Sequence, residues 1–530
     1  MTRRLDPAVL EAVRHGSLAI AEEMRFDLMR AARSPVLREA GDLSCALTDA
    51  AGLTVAQGND IPMHLGVMGF TVRSMLARRH PALRPGDVLF MNHPEVGGNH
   101  LPDVKAVRPI FDGDRLWAFA VALAHWPDVG GALPGSYVPH ARDLNQEGLV
   151  LPPLRLFDAD GEVADAMELV LANVRGGEER AIDIRAQAAA TAIAERRLTE
   201  LAAVQGADTI STGWSILQEE SERRMRRALA HLPDGVYDGE DALDDDRTGG
   251  DPVAIRCRLT IRGEEATFDY TGSADQVPGP VNTTRFITAA ATSYVAKAVL
   301  APAVAANAGL DRPLHVLTRP GSVCDAHLGA PIVAGNHETS QRIADAALRA
   351  LAHVVPDRVV AAGMGSSGLA LFSGTGADGE AFFLYETHAG GSGASAGRAG
   401  DAATRIHMSN VMNTPAEVIE AEYPLRVEAA EIRTGSGGAG ARRGGDGLRR
   451  RYRVLRDGVR LTTMVERCRV APPGLAGGAD GAPSRVWLER QSERTPIGGK
   501  ASVVLMAGDA VVVETAGGGG YGAQREKPTS

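Results

Sequence analysis

Several things are scarce in this 530-residue chain, and each absence excludes something. The four cysteines, Cys45, Cys257, Cys324 and Cys468, are far apart and none belongs to a Cys-x-x-Cys pair. That argues against a disulfide framework or a thiolate zinc site and fits a reducing compartment. No run of 18 apolar residues occurs, and the amino-terminal MTRRLDPAVLEAVRHGSLAI carries charge where a signal peptide would be apolar. A soluble, cytoplasmic protein is expected, with no membrane partner. Basic runs interleaved with aromatics are missing, and the net charge is −10; Arg442–Arg443 and Arg449–Arg451 read as short solvated clusters, so no nucleic-acid partner is expected. Catalytic signatures are missing as well. Gly-x4-Gly-Lys-Ser/Thr, Gly-x-Ser-x-Gly and His-Glu-x-x-His are all absent, and the Ser-Ser pair of the 365–368 loop has no assigned base. The chain therefore offers no ATP site of its own.

Glycine, by contrast, is abundant (61 residues), which predicts many turns and irregular loops. A chain of this length exceeds one core. Composition shifts divide it into an N-terminal α/β domain over 1–233, a central α/β domain over 234–424 and a β-rich domain over 425–530. The fold class expected is mixed α/β (α+β) and multidomain. Periodicity predicts a helix over 8–33 ended by Pro35, short strands on either side of Gly52, and a helix from about Gly69 to Arg79. Residues 178–204 and 208–232 read as a helical pair broken at Gly206–Asp208. Asp238–Asp246 reads as a solvated acidic loop, and 255–270 as a hairpin. Past Pro424 the pattern is short strands, with glycine tracts at 434–447 and 517–520.

The strongest chemical signal lies in residues 92–131, where His-x-Pro-Asp-Val occurs twice, at His100–Val104 and His125–Val129. Between the copies, strand-like runs 103–111 and 115–124 flank Asp112-Gly113-Asp114, a hairpin turn. Folding the hairpin about Asp112–Gly113 sets His100 opposite His125, with Asp103 slightly further in. Two imidazoles and a carboxylate at one open end form a mixed N/O set suited to a divalent metal, with room left for water. The residues alone offer four candidates, the His and Asp of each copy; the plain alternative is polar loop chemistry at strand ends.

Other polar positions stand out less. Asp42 sits at a strand entrance. His140, Arg142 and Glu147 lie in a loop-rich stretch over 135–153. Asn336, His337 and Glu338 precede a helix whose N-terminus suits an anion, although Thr339 or Ser340 could simply cap it.

Taken in order, NHPEVGGNHLPDV, AHWPDVGG, DYTGSADQVPGPVN, APIVAGNHETSQRI, YETHAGGSGA, HMSNVMNTPAEVIEAEYPLRVE and the terminal GGGGYG resemble the hydantoinase B/oxoprolinase family, from about residue 5 to 523. The resemblance implies a subunit of an ATP-dependent cyclic amidohydrolase opening hydantoins, 5-oxoproline or lactams. Its partner would be a hydantoinase A-like ATPase subunit, in a hetero-oligomer such as α2β2, and that partner would use the ATP. The resemblance also implies a divalent metal (Mn, Zn or Fe) on His100, Asp103 and His125, with Asp42 as a fourth ligand. Asp128 then supports His125 from behind, and His140, Glu147 or His337 supplies acid/base chemistry. Where many members carry Asp-Pro-Tyr or Asp-Pro-Trp, this chain has His93-Pro94-Glu95, which leaves the substrate class open. Ketone carboxylase subunits are relatives and form the alternative activity; a non-catalytic scaffold is a third possibility.

Overall fold

Asp6 and Pro7 start the first helix. The Asp6 carboxylate accepts the Ala8 N–H at 2.8 Å, and Pro7 occupies a position that needs no N–H donor. This helix, α1 (Pro7–Ala31), buries Val13, Ile20, Met24 and Leu28. The computed structural model describes residues 5–78, 82–247, 250–376 and 379–524. After α1 come α2 (Pro35–Arg38), β1 (Leu43–Asp49), β2 (Thr54–Gln57), α3 (Pro62–Ala77), β3 (Val88–Met91), β4 (Asp103–Asp112) and β5 (Arg115–His125). Then follow β6 (Leu154–Asp158), β7 (Gly161–Glu162), α4 (Ala164–Ala172), α5 (Gly177–Gln205) and α6 (Ala207–Ala230). The strands form one antiparallel sheet in the order β2-β1-β5-β4-β3-β6-β7.

Helix α3 starts at Pro62, not near Gly69. Gly66 reads as a helix breaker, but here it serves packing, because a Cβ on it would overlap Ala290 of a neighbouring helix. Arg79, the expected end of this helix, lies outside the described residues.

Strand β5 is buried on both faces, and alternation assigns each face a partner. Ala118, Ala120, Ala122 and Ala124 share a core with Val13, Ile20 and Met24 of α1 and Ile184 and Leu198 of α5. Phe119, Val121 and Leu123 pack with Met68, Val72 and Met75 of α3. His125 continues the second series, so its side chain emerges on the α3 side. The helical pair breaks at Gly206 alone, whose φ of +82° suits glycine.

The hairpin register differs from the symmetric expectation. The two-residue turn is Gly113-Asp114, and a bulge between Ile110 and Phe111 shifts the pairing further, so that Asp103, not His100, lies opposite His125. His100 sits in the turn before β4, where its carbonyl accepts the Asp103 N–H at 3.2 Å.

A second sheet, in the order β11-β10-β9-β8, comprises β8 (Gly235–Leu243), β9 (Val253–Arg262), β10 (Glu265–Asp269) and β11 (Leu314–Leu317). Helices α7 (Arg285–Leu300), α8 (Ala308–Asp311) and α9 (Ser340–Ala352) belong to the same region, and α9 packs on β8 and β9. The acidic segment 238–246 is thus largely strand, and it is not solvated throughout. Asp241 is buried against Arg467, and buried Asp244 accepts the N–H groups of Cys468, Arg469 and Val470. A carboxylate run looks solvated only while its distant partners are unknown.

The remaining elements are β12 (Leu369–Thr375), β13 (Ala381–Glu386), α10 (Ala416–Glu422), β14 (Leu425–Arg433), β15 (Gly447–Val454), β16 (Val459–Met464), β17 (Arg485–Arg490), β18 (Glu493–Pro496), β19 (Lys500–Leu505) and β20 (Ala510–Glu514). They form two sheets, β13-β12-β16-β19 and β14-β15-β20-β17-β18, which share a core of Phe372, Leu384, Leu461, Tyr452, Val511 and Val513. Because β12 pairs with β16, one hydrogen-bonded sheet takes strands from both sides of residues 424/425.

The glycine tracts are packed structure. Backbones from 390–400, 437–445 and 517–520 lie against one another, with Gly438 N–H donating to the Gly518 carbonyl and Gly518 N–H to that of Gly445. A Cβ on Gly518 would overlap the Ser392 carbonyl, and one on Gly445 that of Asp401. Only glycine allows chains so close.

Among the described residues no helix is long and apolar enough to cross a membrane. The four cysteines are unpaired.

Candidate metal centre

β4 delivers Asp103, β5 delivers His125, and the preceding turn delivers His100. All three are at most 1% exposed. Each offers a ligand atom within 4.8 Å of the others, close enough to hold a metal ion.

Whether the set suits a cation is decided by the unpaired atoms. His100 Nδ1 donates to the Val333 carbonyl at 2.9 Å, which leaves a lone pair on Nε2. That Nε2 lies 3.1 Å from Asp103 Oδ1, and both atoms are buried without a hydrogen-bond partner. A lone pair facing a carboxylate oxygen at this distance is repulsive unless a positive charge, a proton or a metal, stands between them. His125 Nδ1 is the third orphaned atom, while its Nε2 lies 3.2 Å from the Tyr137 hydroxyl. Burial, then the neighbouring His100, holds His125 well below the usual imidazole range, so it keeps a lone pair to donate. Burial opposes the charge on Asp103, yet His100 and His64 outweigh it and hold that carboxyl well below its ordinary value. These residues fit a divalent cation.

Around them is a second set, in which His64, Tyr137 and Tyr385 join the Asp42 and Asn336 singled out in the sequence. His64, in the first turn of α3, places Nε2 3.4 Å from Asp103 Oδ2 and 3.6 Å from Asp42 Oδ1. Its Nδ1 lies 3.1 Å from Ser44 Oγ. Pro62, a helix-start residue two positions earlier, was the one sequence signal that could have placed His64 on a helix. Asp42 is buried beside this group, and burial raises it to about 6 against the pull of His64. Asn336 Nδ2 donates to Asp103 Oδ2 at 2.9 Å. The Tyr385 ring lies tilted against that of His125 with centroids 4.4 Å apart, and its hydroxyl lies 3.3 Å from that of Tyr137.

Asn336, His337 and Glu338 arrive together because Gly335–Thr339 forms one π-helical turn, a local widening common at functional sites. Neither Thr339 nor Ser340 caps α9; their hydroxyls donate instead to the Val281 and Asn336 carbonyls. His337 Nδ1 lies 2.9 Å from Glu338 Oε1, and its buried Nε2 has no partner. Its ring is 5.9 Å from that of His100 and 5.5 Å from that of Tyr137. Burial, then His100, depresses its pKa well below the usual range.

Glu147 does not face the cluster. Both of its oxygens accept backbone N–H groups, from Val333 and Ile332, each at 3.0 Å, and so hold the loop that holds His100. His140 is exposed, apart from the buried centre. Asp128 does not orient His125. Its oxygens take the N–H groups of Gly130, Gly135 and Arg175 and the Arg175 guanidinium, because it lies in the loop beyond β5. That loop also carries Tyr137, whose hydroxyl lies 3.2 Å from His125 Nε2.

The chain is similar to known proteins along almost its whole length. The hydantoinase B/oxoprolinase family pattern matches residues 6–524. The caprolactamase subunit beta of Pseudomonas jessenii is 31% identical over 539 residues, covering 99% of this chain and 92% of that protein. 5-Oxoprolinase 1 of Arabidopsis thaliana is 31% identical over 540 residues, covering 98% of this chain; the chain spans only 42% of the plant protein's length. The crystal structure of the ATP-dependent caprolactamase from Pseudomonas jessenii superposes with a TM-score of 0.92 at 28% identity, covering 98% of this chain and 92% of the other. Nucleotide-free acetone carboxylase superposes at 0.90 with 18% identity, covering 98% of this chain and 76% of the other, a likeness of fold alone. On the match across almost its whole length, the chain belongs to the hydantoinase B/oxoprolinase family.

Proposed function

We propose that this chain is the metal-containing subunit of an ATP-dependent cyclic amide hydrolase, working beside a hydantoinase A-like ATPase subunit. The partner activates the ring amide by phosphorylation, and ring opening takes place at the buried centre. Three things support the reading: the family, the lack of a nucleotide motif in this chain, and the names of relatives that are subunits of cyclic-amide enzymes. The observation that carries it is the buried His100–Asp103–His125 group, whose ligand atoms lie within 4.8 Å of one another and in which His100 Nε2, Asp103 Oδ1 and His125 Nδ1 have no partner.

A divalent ion held there by His100, Asp103 and His125, with Asp42 as the fourth ligand, would supply a water of lowered pKa or polarise the amide carbon. The surrounding residues have separate tasks. Asn336 and His64 fix the second oxygen of Asp103. His337, its Nδ1 held by Glu338, presents a bare Nε2; with its pKa depressed it is neutral near pH 7 and takes up a proton as general base. Burial keeps Tyr137 protonated, so its hydroxyl can donate to a developing negative charge.

The test combines metal analysis of the purified chain with ring-opening assays on hydantoin, 5-oxoproline and lactams, given ATP and the partner subunit. Wild type is expected to carry metal, and His125→Ala to lose it together with activity. Full occupancy in His125→Ala would overturn the ligand assignment. Turnover that requires bicarbonate and consumes a ketone would overturn the hydrolase reading in favour of carboxylation.

A further inference from the structure

A cavity of about 380 Å³ beside the glycine bundle has no role in the account so far. Its walls include Ser392, Ser395, Arg398, Arg405, His407 and Asn410. The acid on its wall, Asp401, is already paired with Arg398 at 2.7 Å.

Arg405 is the unusual member. Its Nη1 donates to the Ser367 carbonyl at 3.1 Å and its Nη2 to the Thr387 hydroxyl, while its Nε is buried with no acceptor. It makes no ion pair with a carboxylate among the described residues. The acid that most supports its charge, Glu386, is itself paired with Arg450. Arg405 is half-buried and lines a polar cavity without a carboxylate partner, and a guanidinium so placed is where an anion fits.

The segment that follows Arg405 is hydrogen-bonded to the elements that carry residues of the metal centre. The Met408 carbonyl accepts the N–H of Met63, next to His64, at 3.3 Å, and Met412 N–H donates to Ala40, near Asp42, at 2.9 Å. Thr387 lies two residues beyond Tyr385, whose ring is tilted against that of His125. Ala403 and His407 hold left-handed φ values of 46° and 53° without being glycine, a local strain of the kind found at binding sites.

We propose that this cavity is an anion subsite, in which Arg405 receives the phosphoryl group of the activated substrate on its way to the His100–Asp103–His125 centre. The proposal rests on the ATP-dependent reading above. A phosphoryl group suits the walls better than a carboxylate, because its three oxygens can satisfy the guanidinium and the serine hydroxyls together.

The experiment is calorimetric titration of the purified full chain with inorganic phosphate and, separately, with acetate. Wild type is expected to bind phosphate, Arg405→Gln to bind it about tenfold more weakly with unchanged metal content, and acetate to bind poorly. No phosphate binding to wild type, unchanged binding in Arg405→Gln, or acetate binding as tightly as phosphate would each overturn the subsite. Should Arg405→Gln not fold, Ser395→Phe, which places a bulky ring on the same cavity wall and keeps the arginine, must produce the same loss; undiminished phosphate binding there overturns the subsite too. Ring opening with ATP and the partner is measured independently. Phosphate binding lost in the variant without any ring opening keeps the subsite and overturns the function, whereas ring opening with no arginine-dependent phosphate binding does the reverse.

Discussion

Glu147 and His100 are joined through a single residue of backbone: Glu147 accepts the Val333 N–H at 3.0 Å, and the Val333 carbonyl accepts from His100 Nδ1 at 2.9 Å. A metal-binding histidine depends on whatever holds its other nitrogen. Replacing Glu147 with Gln turns an amide N–H₂ towards a backbone donor and releases that carbonyl. Glu147→Gln is therefore expected to weaken metal binding by roughly 10- to 100-fold, read by competition with a chelator. Unchanged affinity would mean that the Val333 loop is held by other contacts.

The same carboxyl should leave a signature in the pH dependence of stability. Burial pushes Glu147 up to about 8, against the pull of its two backbone donors. Between the ordinary glutamate range and about 8, the folded protein binds a proton that the unfolded chain has released. Stability contributed by this group is therefore present at low pH, falls as pH rises through that window, and is level above it. Thermal unfolding of wild type at intervals from pH 5 to pH 9 should show the slope, and Glu147→Gln should flatten it. An equal slope in the variant would assign the effect to another group.

The metal set was legible because the doubled His-x-Pro-Asp-Val brackets a recognisable turn, and turns are local. Its register was not, since the bulge at Ile110–Phe111 leaves no mark in composition. The symmetry of the repeat also misled. Asp103 belongs to a paired strand, while Asp128 falls in a loop and binds backbone. His64, Tyr137, Tyr385 and Asn336 reach the centre from a helix, a loop, a strand end and a π-helical turn, so only the tertiary fold brings them together. Asp241 and Asp244 show the same limit, because the groups that neutralise them lie in and around 467–470, more than two hundred residues away in sequence.

The contact between His337 and Glu338 predicts a split in kinetics. Glu338 touches no part of the cluster, but it fixes the ring whose Nε2 is bare. Glu338→Gln should lower kcat by roughly 10- to 100-fold, leave KM and metal content close to wild type, and move the acidic limb of the pH–rate profile. His337→Ala should remove that limb. A profile unmoved in Glu338→Gln would reduce the glutamate to a packing role. His140 supplies the contrast: being exposed, it should tolerate His140→Ala with less than about twofold change in kcat/KM.

Asp128 offers a final test, of support at one remove. Its two oxygens hold three backbone N–H groups, of Gly130, Gly135 and Arg175, and an ion pair to Arg175 at 3.0 Å, all in or beside the loop that carries Tyr137. Asp128→Asn removes the charge and sets an amide N–H₂ against buried backbone donors, so a cost of about 1–3 kcal/mol is expected for leaving them unsatisfied. The denaturation midpoint measures that cost. With Tyr137 displaced, His125 Nε2 loses its neighbour at 3.2 Å, and metal binding should weaken as a consequence. Tyr137→Phe separates the two effects, because it removes the hydroxyl while leaving the loop intact. If Tyr137→Phe weakens metal binding without lowering the midpoint, Asp128 acts through the tyrosine. If Tyr137→Phe leaves metal binding unchanged while Asp128→Asn weakens it, the loop acts on the centre by another route.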